Sequence, residues 1–159
     1  MPRIILIRHA HAIRREEWEH EDLLRPLSPK GHAQAKKLTR FITHHYPHVS
    51  SLFSSNASRA IQSARGIARR LNLTLQISEE IAPMCGSAGY AKLLEKILKN
   101  GEKECIIIGH EPELSETLSM LCSNGNIRIK WKKAMLVELV REEDESDWRI
   151  EAAIPPLIF

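Results

Sequence analysis

Residues 2–12, Pro2-Arg3-Ile4-Ile5-Leu6-Ile7-Arg8-His9-Ala10-His11-Ala12, decide how the rest of the chain is read. The apolar run Ile4 to Ile7 has the length and β-branched content of a strand buried on both faces. It stops abruptly at Arg8-His9, which puts a guanidinium and an imidazole at the carboxyl end of that strand. Open α/β sheets bind ligands in the crevice beyond their strand ends, so the pair is a candidate site.

Downstream, residues 14–22 are strongly charged and carry Trp18 among acids, the pattern of a surface loop or a loosely attached helix. Ser28 as cap and Pro29 at the first helical position predict a helix from Pro29 to about Tyr46. Val49 to Ser54 is a second strand. From Ser58 the stripe Ala60, Ile61, Ala64, Ile67, Ala68, Leu71 marks a second helix, with Arg65, Arg69 and Arg70 on its solvated face and Asn72 as its stop. Leu73 to Ile77 is a third strand. Ala82 to Gly89 is a loop in which Gly86 and Gly89 are ordinary turn residues. A short helix around Leu93, Leu94, Ile97 and Leu98 ends at Asn100-Gly101.

Cys105 to Ile108 repeats the doubly buried pattern and leads straight into Gly109-His110-Glu111-Pro112. A helix through Leu114, Leu118 and Leu121 stops near Ser123-Asn124-Gly125. Ala134 to Val140, an acidic turn and the alternating Asp147 to Glu151 form a hairpin, which makes the last strand antiparallel and near an edge. The fold class is therefore α/β: a three-layer α/β/α sandwich with a mainly parallel central sheet and an antiparallel hairpin at the C-terminus. Residues 1–159 are expected to form a single domain.

Composition narrows the function classes. At 43% hydrophobic and 27% charged, the chain has the balance of an ordinary globular protein. It shows no membrane-length apolar run and no signal-peptide pattern, so the expected compartment is the cytoplasm. A net charge of +3 with interspersed acids and only 5% aromatics argues against nucleic acid and suits a small acidic or phosphorylated ligand. Cys85, Cys105 and Cys122 are an odd number without C-x-x-C spacing, so neither a disulfide framework nor a zinc knuckle is signalled. His9 and His11 form an H-x-H pair with no nearby cluster to complete a ligand set, so no metal is expected. His44, His45 and His48, near a helix end, read as solvated surface.

If the strands ending at Arg8, at Ser54 and at Ile108 are parallel neighbours, Arg8, His9, Arg59 and His110 arrive at one edge of the sheet. Two arginine forks and two imidazoles there would make a cationic pocket for a small dianion such as a phosphoryl group. Helix amides near Ser58 could add donors.

These residues resemble the signature of the histidine phosphatase superfamily, the phosphoglycerate-mutase-like group. Arg8-His9-Ala10 matches its Arg-His-Gly/Ala. Ser55 through Arg59-Ala60-Ile61-Gln62-Ser63-Ala64 matches its Ser-x-x-x-Arg-Ala-x-Gln-Ser/Thr-Ala, and Gly109-His110 matches its Gly-His. The resemblance implies that His9 is the nucleophile of a metal-independent, cofactor-free hydrolase, with Arg8, Arg59 and His110 on the phosphoryl oxygens. Compact length, Ala10 after the nucleophile and Arg25-Pro26-Leu27-Ser28-x-x-Gly31 are similar to the short bacterial phosphohistidine phosphatases. That likeness makes Arg25 a rim cation and Asp22 a residue that could orient it.

One departure is informative. Many members carry a glutamate general acid where this chain has Pro83, in Glu80-Ile81-Ala82-Pro83; Glu80 and Glu111 are the remaining acids nearby. An alkoxide leaving group needs a proton, whereas imidazole, with a conjugate-acid pKa of about 6.5, departs with little help. The expected substrate is thus phosphohistidine on a protein, a phosphotransfer domain or phosphocarrier, turned over by a monomer without nucleic acid or membrane. The alternatives are a small-molecule phosphomonoesterase of the same superfamily and a catalytically weak phosphate- or phosphohistidine-binding module.

Overall fold

The isoleucine-rich stretch becomes strand β1 (Arg3–Arg8), inside a six-stranded sheet. The computed structural model describes residues 1–122 and 125–156. Successive side chains of β1 point to opposite layers: Ile4 and Leu6 enter one hydrophobic cluster, Ile5 and Ile7 the other, all at 1% exposure or less. Full burial of each contributes about 1.5–3 kcal/mol, which makes this strand a major stabilising element.

The chain continues through α1 (Pro29–His45), β2 (Ser51–Ser55), α2 (Ser58–Leu71), β3 (Leu75–Ser78), α3 (Ser87–Lys99), β4 (Glu104–Gly109), α4 (Glu113–Leu121), β5 (Leu136–Val140) and β6 (Arg149–Ile154). Strand order is β3-β2-β4-β1-β5-β6. The first four strands are mutually parallel, β5 runs against β1, and β6 pairs antiparallel with β5 at the edge. Leu38, Ile42, Ala60, Ala64 and Ile67 of α1 and α2 cover one face, and Leu93, Leu94, Ile97, Leu114 and Leu118 of α3 and α4 cover the other. The predicted three-layer α/β/α sandwich, mostly parallel with a C-terminal antiparallel hairpin, is the observed fold.

Local chemistry sets the element ends. The Ser28 hydroxyl accepts from the Gly31 amide, as a cap should, and Asn72 closes α2 in the left-handed region at φ 54°. Several boundaries differ from the sequence expectation for identifiable reasons. The Leu73 amide is engaged by the Ala68 carbonyl at the end of α2, so β3 starts later. Ala134, at φ 60°, donates to the carbonyls of Arg8 and His9 rather than joining β5. The Trp148 amide bonds to Leu121 O, which delays β6. α3 begins at Ser87, so Gly89 is helical rather than a loop residue, and the helix packs so close to the Glu79–Ile81 turn that a Cβ there would stand 1.7 Å from the Glu80 carbonyl oxygen. The end of α4 falls at Leu121, while Ser123 and Asn124 of its predicted stop lie outside the described residues. No helix among the described residues is long and apolar enough to cross a membrane.

At the amino end of the sheet, opposite the candidate site, the buried Glu138 carboxylate accepts from Tyr46 OH at 2.9 Å and lies 2.7 Å from Arg3 Nε. Burial, and next the Glu138 carboxylate, push the Tyr46 phenol up. Removing the hydroxyl leaves a buried charge short of a donor. Tyr46→Phe is expected to destabilise the fold by about 1.5–3 kcal/mol, read from the urea midpoint, while the slope of the transition stays unchanged.

Candidate active site

Register fixes the centre of the site. Arg8 of β1 stands opposite Gly109 of β4, so the residues that follow, His9 and His110, leave the sheet side by side. Their rings are 5.0 Å apart between centroids, at an interplanar angle of 53°. The His9 amide is tied to the Gly109 carbonyl at 3.1 Å. Gly109 admits no larger residue, because its Cβ would fall 1.9 Å from the Tyr90 hydroxyl, the group that accepts the His110 amide at 3.1 Å. The glycine of the Gly-His pair therefore makes room for the side chain that positions His110.

Each imidazole has a defined tautomer. His9 Nδ1 lies 2.7 Å from the carbonyl oxygen of Ala10, so it carries the proton and Nε2 keeps its lone pair, without a partner among the described residues. Ser55 Oγ accepts from the Ala57 amide and lies 2.7 Å from His110 Nε2; Nε2 is the acceptor its own hydrogen meets, and donation there leaves the His110 proton on Nδ1. That Nδ1, Arg8 Nε and Arg59 Nε are all buried and without a hydrogen-bond partner among the described residues. Three dry donors without acceptors are costly, at about 1–3 kcal/mol each, and they wait for an anion.

Arg59 comes from the first turn of α2 and is 4% exposed. Its Nη1 donates to Asp22 O at 2.8 Å and its Nη2 to Asp22 Oδ2 at 3.0 Å, which aims the remaining edge inward. Arg8 is anchored through Nη1 on Trp131 O at 2.6 Å. The Ser63 hydroxyl, donating to Arg59 O, receives the Ala10 amide and so ties the first motif to the second. Arg25 sits one step out: Nε reaches Asp22 Oδ1 at 2.9 Å and Nη1 the Ile13 carbonyl, and its charge is felt at Arg59. Asp22 thus pins two arginines. Burial raises its pKa, but the hydrogen bond from Arg25 and the charges of Arg59 and Arg25 outweigh that and hold it below the usual carboxylate value.

Structure brings Arg8, His9, Arg59 and His110 together, as expected, and adds Lys133, which sequence reasoning missed. β5 is reversed, so the residues before it, not those after it, reach the carboxyl edge of β1. Lys133 is half-buried and forms no ion pair among the described residues. Burial, then Arg8, Arg59 and Arg25, bring its ammonium down to about 8. Burial, then Lys133, His110 and Arg59, hold His9 well below the ordinary histidine value despite the Ala10 carbonyl. His110 is pushed down to about 3 by burial, followed by Arg59 and Lys133. Both imidazoles are neutral at physiological pH. Of the remaining acids, Glu111 bonds the amide and hydroxyl of Ser115, and Glu80 is held by Lys96 and Lys92. No group of three or more candidate metal ligands occurs among the described residues.

A sequence profile described as histidine phosphatase superfamily (branch 1) matches residues 4–113, more than half of the chain. The chain belongs to the histidine phosphatase superfamily. Superfamily members are phosphatases with a histidine nucleophile. No curated protein sequence matches the chain. Among solved structures, the protein histidine phosphatase SixA complexed with tungstate superposes with a TM-score of 0.85 at 17% identity, covering 98% of each chain. The putative phosphohistidine phosphatase SixA from Agrobacterium tumefaciens gives 0.82 at 21% identity over 98% of this chain and 99% of its own. A mycobacterial glucosyl-3-phosphoglycerate phosphatase gives 0.75 at 14% identity over 96% and 98%. These likenesses show that the fold spans the chain.

The depressed histidines couple stability to pH. Below pH 6.5 the unfolded chain binds protons that folded His9 and His110 refuse, so the stability they contribute is full above that pH and is lost as pH falls toward the folded values. The urea midpoint is expected to fall between about pH 6.5 and about pH 4, by up to roughly 1.4 kcal/mol per pH unit for each histidine. His110→Gln should remove about half of that slope; an unchanged slope would assign the acid sensitivity elsewhere.

Proposed function

We propose that this phosphatase hydrolyses phosphohistidine on a protein, with His9 as nucleophile and Arg8, Arg59, His110 and Lys133 as the oxyanion frame. The observation that carries the reading is the set of buried, unpartnered donors at Arg8, Arg59 and His110 beside an unprotonated His9 Nε2. A phosphoryl dianion satisfies all of them at once, in a dry setting where such contacts are strongest.

His9 Nε2 attacks phosphorus as the bond to the substrate imidazole breaks, and that imidazole takes up a proton from solvent. Water then attacks the phosphoryl group on His9, releasing inorganic phosphate and restoring the free ring. The net reaction is phosphohistidine plus water giving histidine plus phosphate. Arg8 and Arg59 stay charged throughout and neutralise the equatorial oxygens, which is most of what phosphoryl transfer asks of a protein. Neutral His110 donates through Nδ1 without competing as a nucleophile, because Ser55 holds its other nitrogen. Arg25 acts through Asp22, keeping Arg59 aimed.

The leaving group supports the choice of substrate. Pro83 stands where many superfamily members have an acid, and Glu80 and Glu111 are engaged elsewhere. A phosphoramidate suits that arrangement better than an alkyl phosphate. The likeness to SixA proteins points the same way, while the mycobacterial neighbour favours a small phosphomonoester as the second reading. On our reading the cations do the charge neutralisation of a metal, so turnover should survive a chelator.

Acid-quenched reactions with a labelled phosphoramidate are expected to trap label on the wild-type protein and none on His9→Ala. Label on the variant would remove His9 from its role. Free phosphohistidine should turn over faster than an alkyl phosphomonoester, and the reverse order would favour the second reading. With Lys133 charged only below about 8, kcat/KM should fall as pH rises past that value, and Lys133→Met should lose that limb and about tenfold in kcat/KM at neutral pH.

A further inference from the structure

A groove of about 540 Å³ adjoins the site and has no part in the phosphoryl chemistry just described. Its boundary with the site is formed by His11, two residues beyond the nucleophile, and by Lys133, whose charge reaches both His9 and His110. Lys30, Lys37 and Lys132 line the rest, over a floor that includes Ala33 and Pro156, and no carboxylate is among the lining residues described.

The sequence builds this face deliberately in register. Lys30, Ala33, Gln34 and Lys37 recur at the i, i+3, i+4, i+7 spacing of a single helical stripe on α1. Gln34 accepts the His11 amide at 2.8 Å, and His11 Nδ1 lies 2.7 Å from the Ser28 cap hydroxyl, which locks the stripe to the catalytic strand. Gly31 permits the approach, since a Cβ there would stand 1.8 Å from the His11 carbonyl oxygen. Lys30, Lys37 and Lys132 are exposed and form no ion pair among the described residues. On α3, by contrast, Lys92 and Lys96 are paired with Glu80 and Lys99 with Glu95.

Exposed, flexible ammoniums suit a broad charged surface, whereas a small anion is better held by buried, forked arginines of the kind the catalytic pocket already has. Like charges left unpaired around one groove repel one another until a negative surface covers them. Resting on the phosphohistidine-protein reading above, we propose that this groove docks the acidic face of the phosphorylated partner, whose carboxylates seat on Lys30, Lys37 and Lys132 while its phosphohistidine enters beside His9. The groove then selects which phosphohistidine proteins are served, and the pocket performs the chemistry.

The test compares two probes, free phosphohistidine and a histidine-phosphorylated photransfer-type helical domain with acidic residues around its histidine, on wild type and on Lys30→Ser/Lys37→Ser/Lys132→Ser. The expected result is a loss of about tenfold or more in kcat/KM for the protein probe, with less than about twofold change for the free amino acid. Added salt should weaken the wild-type reaction on the protein probe and leave the variant nearly indifferent. Neutralising the acids of the probe should mimic the variant on wild-type enzyme and add nothing on the variant, which keeps the result readable if the triple variant folds poorly. Equal losses on both probes, or no loss on the protein probe, would overturn the docking role and leave the catalytic assignment standing. Wild type that hydrolyses neither phosphohistidine probe would sink the parent reading and the groove with it.

Discussion

Parallel pairing of β1 with β4, Arg8 against Gly109, is the constraint from which the site follows. Two strands that are each followed by a histidine set those rings 5.0 Å apart in this register; a shift of one residue would turn every side chain of the strand to the other face. The register is held by the interior. Ile4 and Leu6 on one face and Ile5 and Ile7 on the other are matched by Cys105 and Ile107, Ile106 and Ile108, so any slip would displace fully buried side chains on both layers. The core thus determines the catalytic geometry, and the Tyr90 hydroxyl in the space vacated by the Gly109 side chain refines it.

What the register assembles is unfavourable for the protein alone. Arg8 and Arg59 depress Lys133, Arg59 and Lys133 depress both histidines, and burial is the leading cause at every one of these groups. Two carboxylates offset part of this, Glu111 at Arg8 and Asp22 at Arg59, yet Asp22 takes only the outer edge of Arg59 and leaves the inner nitrogen bare. A site that left no donor unsatisfied would be more stable and would have nothing to offer an anion. The strain between stability and function is therefore located in identifiable atoms, and it is the expected condition of a preorganised oxyanion site.

Much of this was legible in the sequence because its signals are local. Doubly buried strands announce themselves as apolar runs, the Ser28-Pro29 cap is a short-range pattern, and a residue directly after a parallel strand arrives at a known edge. Arg8, His9, Arg59 and His110 all follow strands of the parallel set. Lys133 was invisible for the converse reason: it precedes a strand, and only the reversal of β5 against β1 carries it to the same edge. Ser55 and Tyr90 were missed as positioning groups because their partners lie 55 and 20 residues away along the chain. Asp22 was placed beside Arg25, but its bridge to Arg59 depends on how the turn Asp22–Leu24 folds onto α2, which no local pattern encodes.

Net charge was the least informative quantity, and the structure shows why. A balance of +3 over 159 residues describes a nearly neutral chain, but the neutrality is not uniform. Acids are paired with bases on α3 and around the final hairpin, through Glu80, Glu95 and Glu142. Cations without an ion pair among the described residues gather, among other places, around one groove beside the carboxyl edge of the sheet, as Lys30, Lys37, Lys132 and Lys133. Around the site the two kinds of cation divide by chemistry: the planar guanidinium of Arg59 is buried and held in a fixed orientation, while the flexible ammoniums of Lys30, Lys37 and Lys132 are exposed. Lys133 stands at the junction, half-buried, with its charge reaching His9 on one side while its side chain lines the groove on the other. A cation so placed would carry the charge of any anion seated in the groove to His9, through the field that, after burial, does most to hold that ring below the ordinary histidine value.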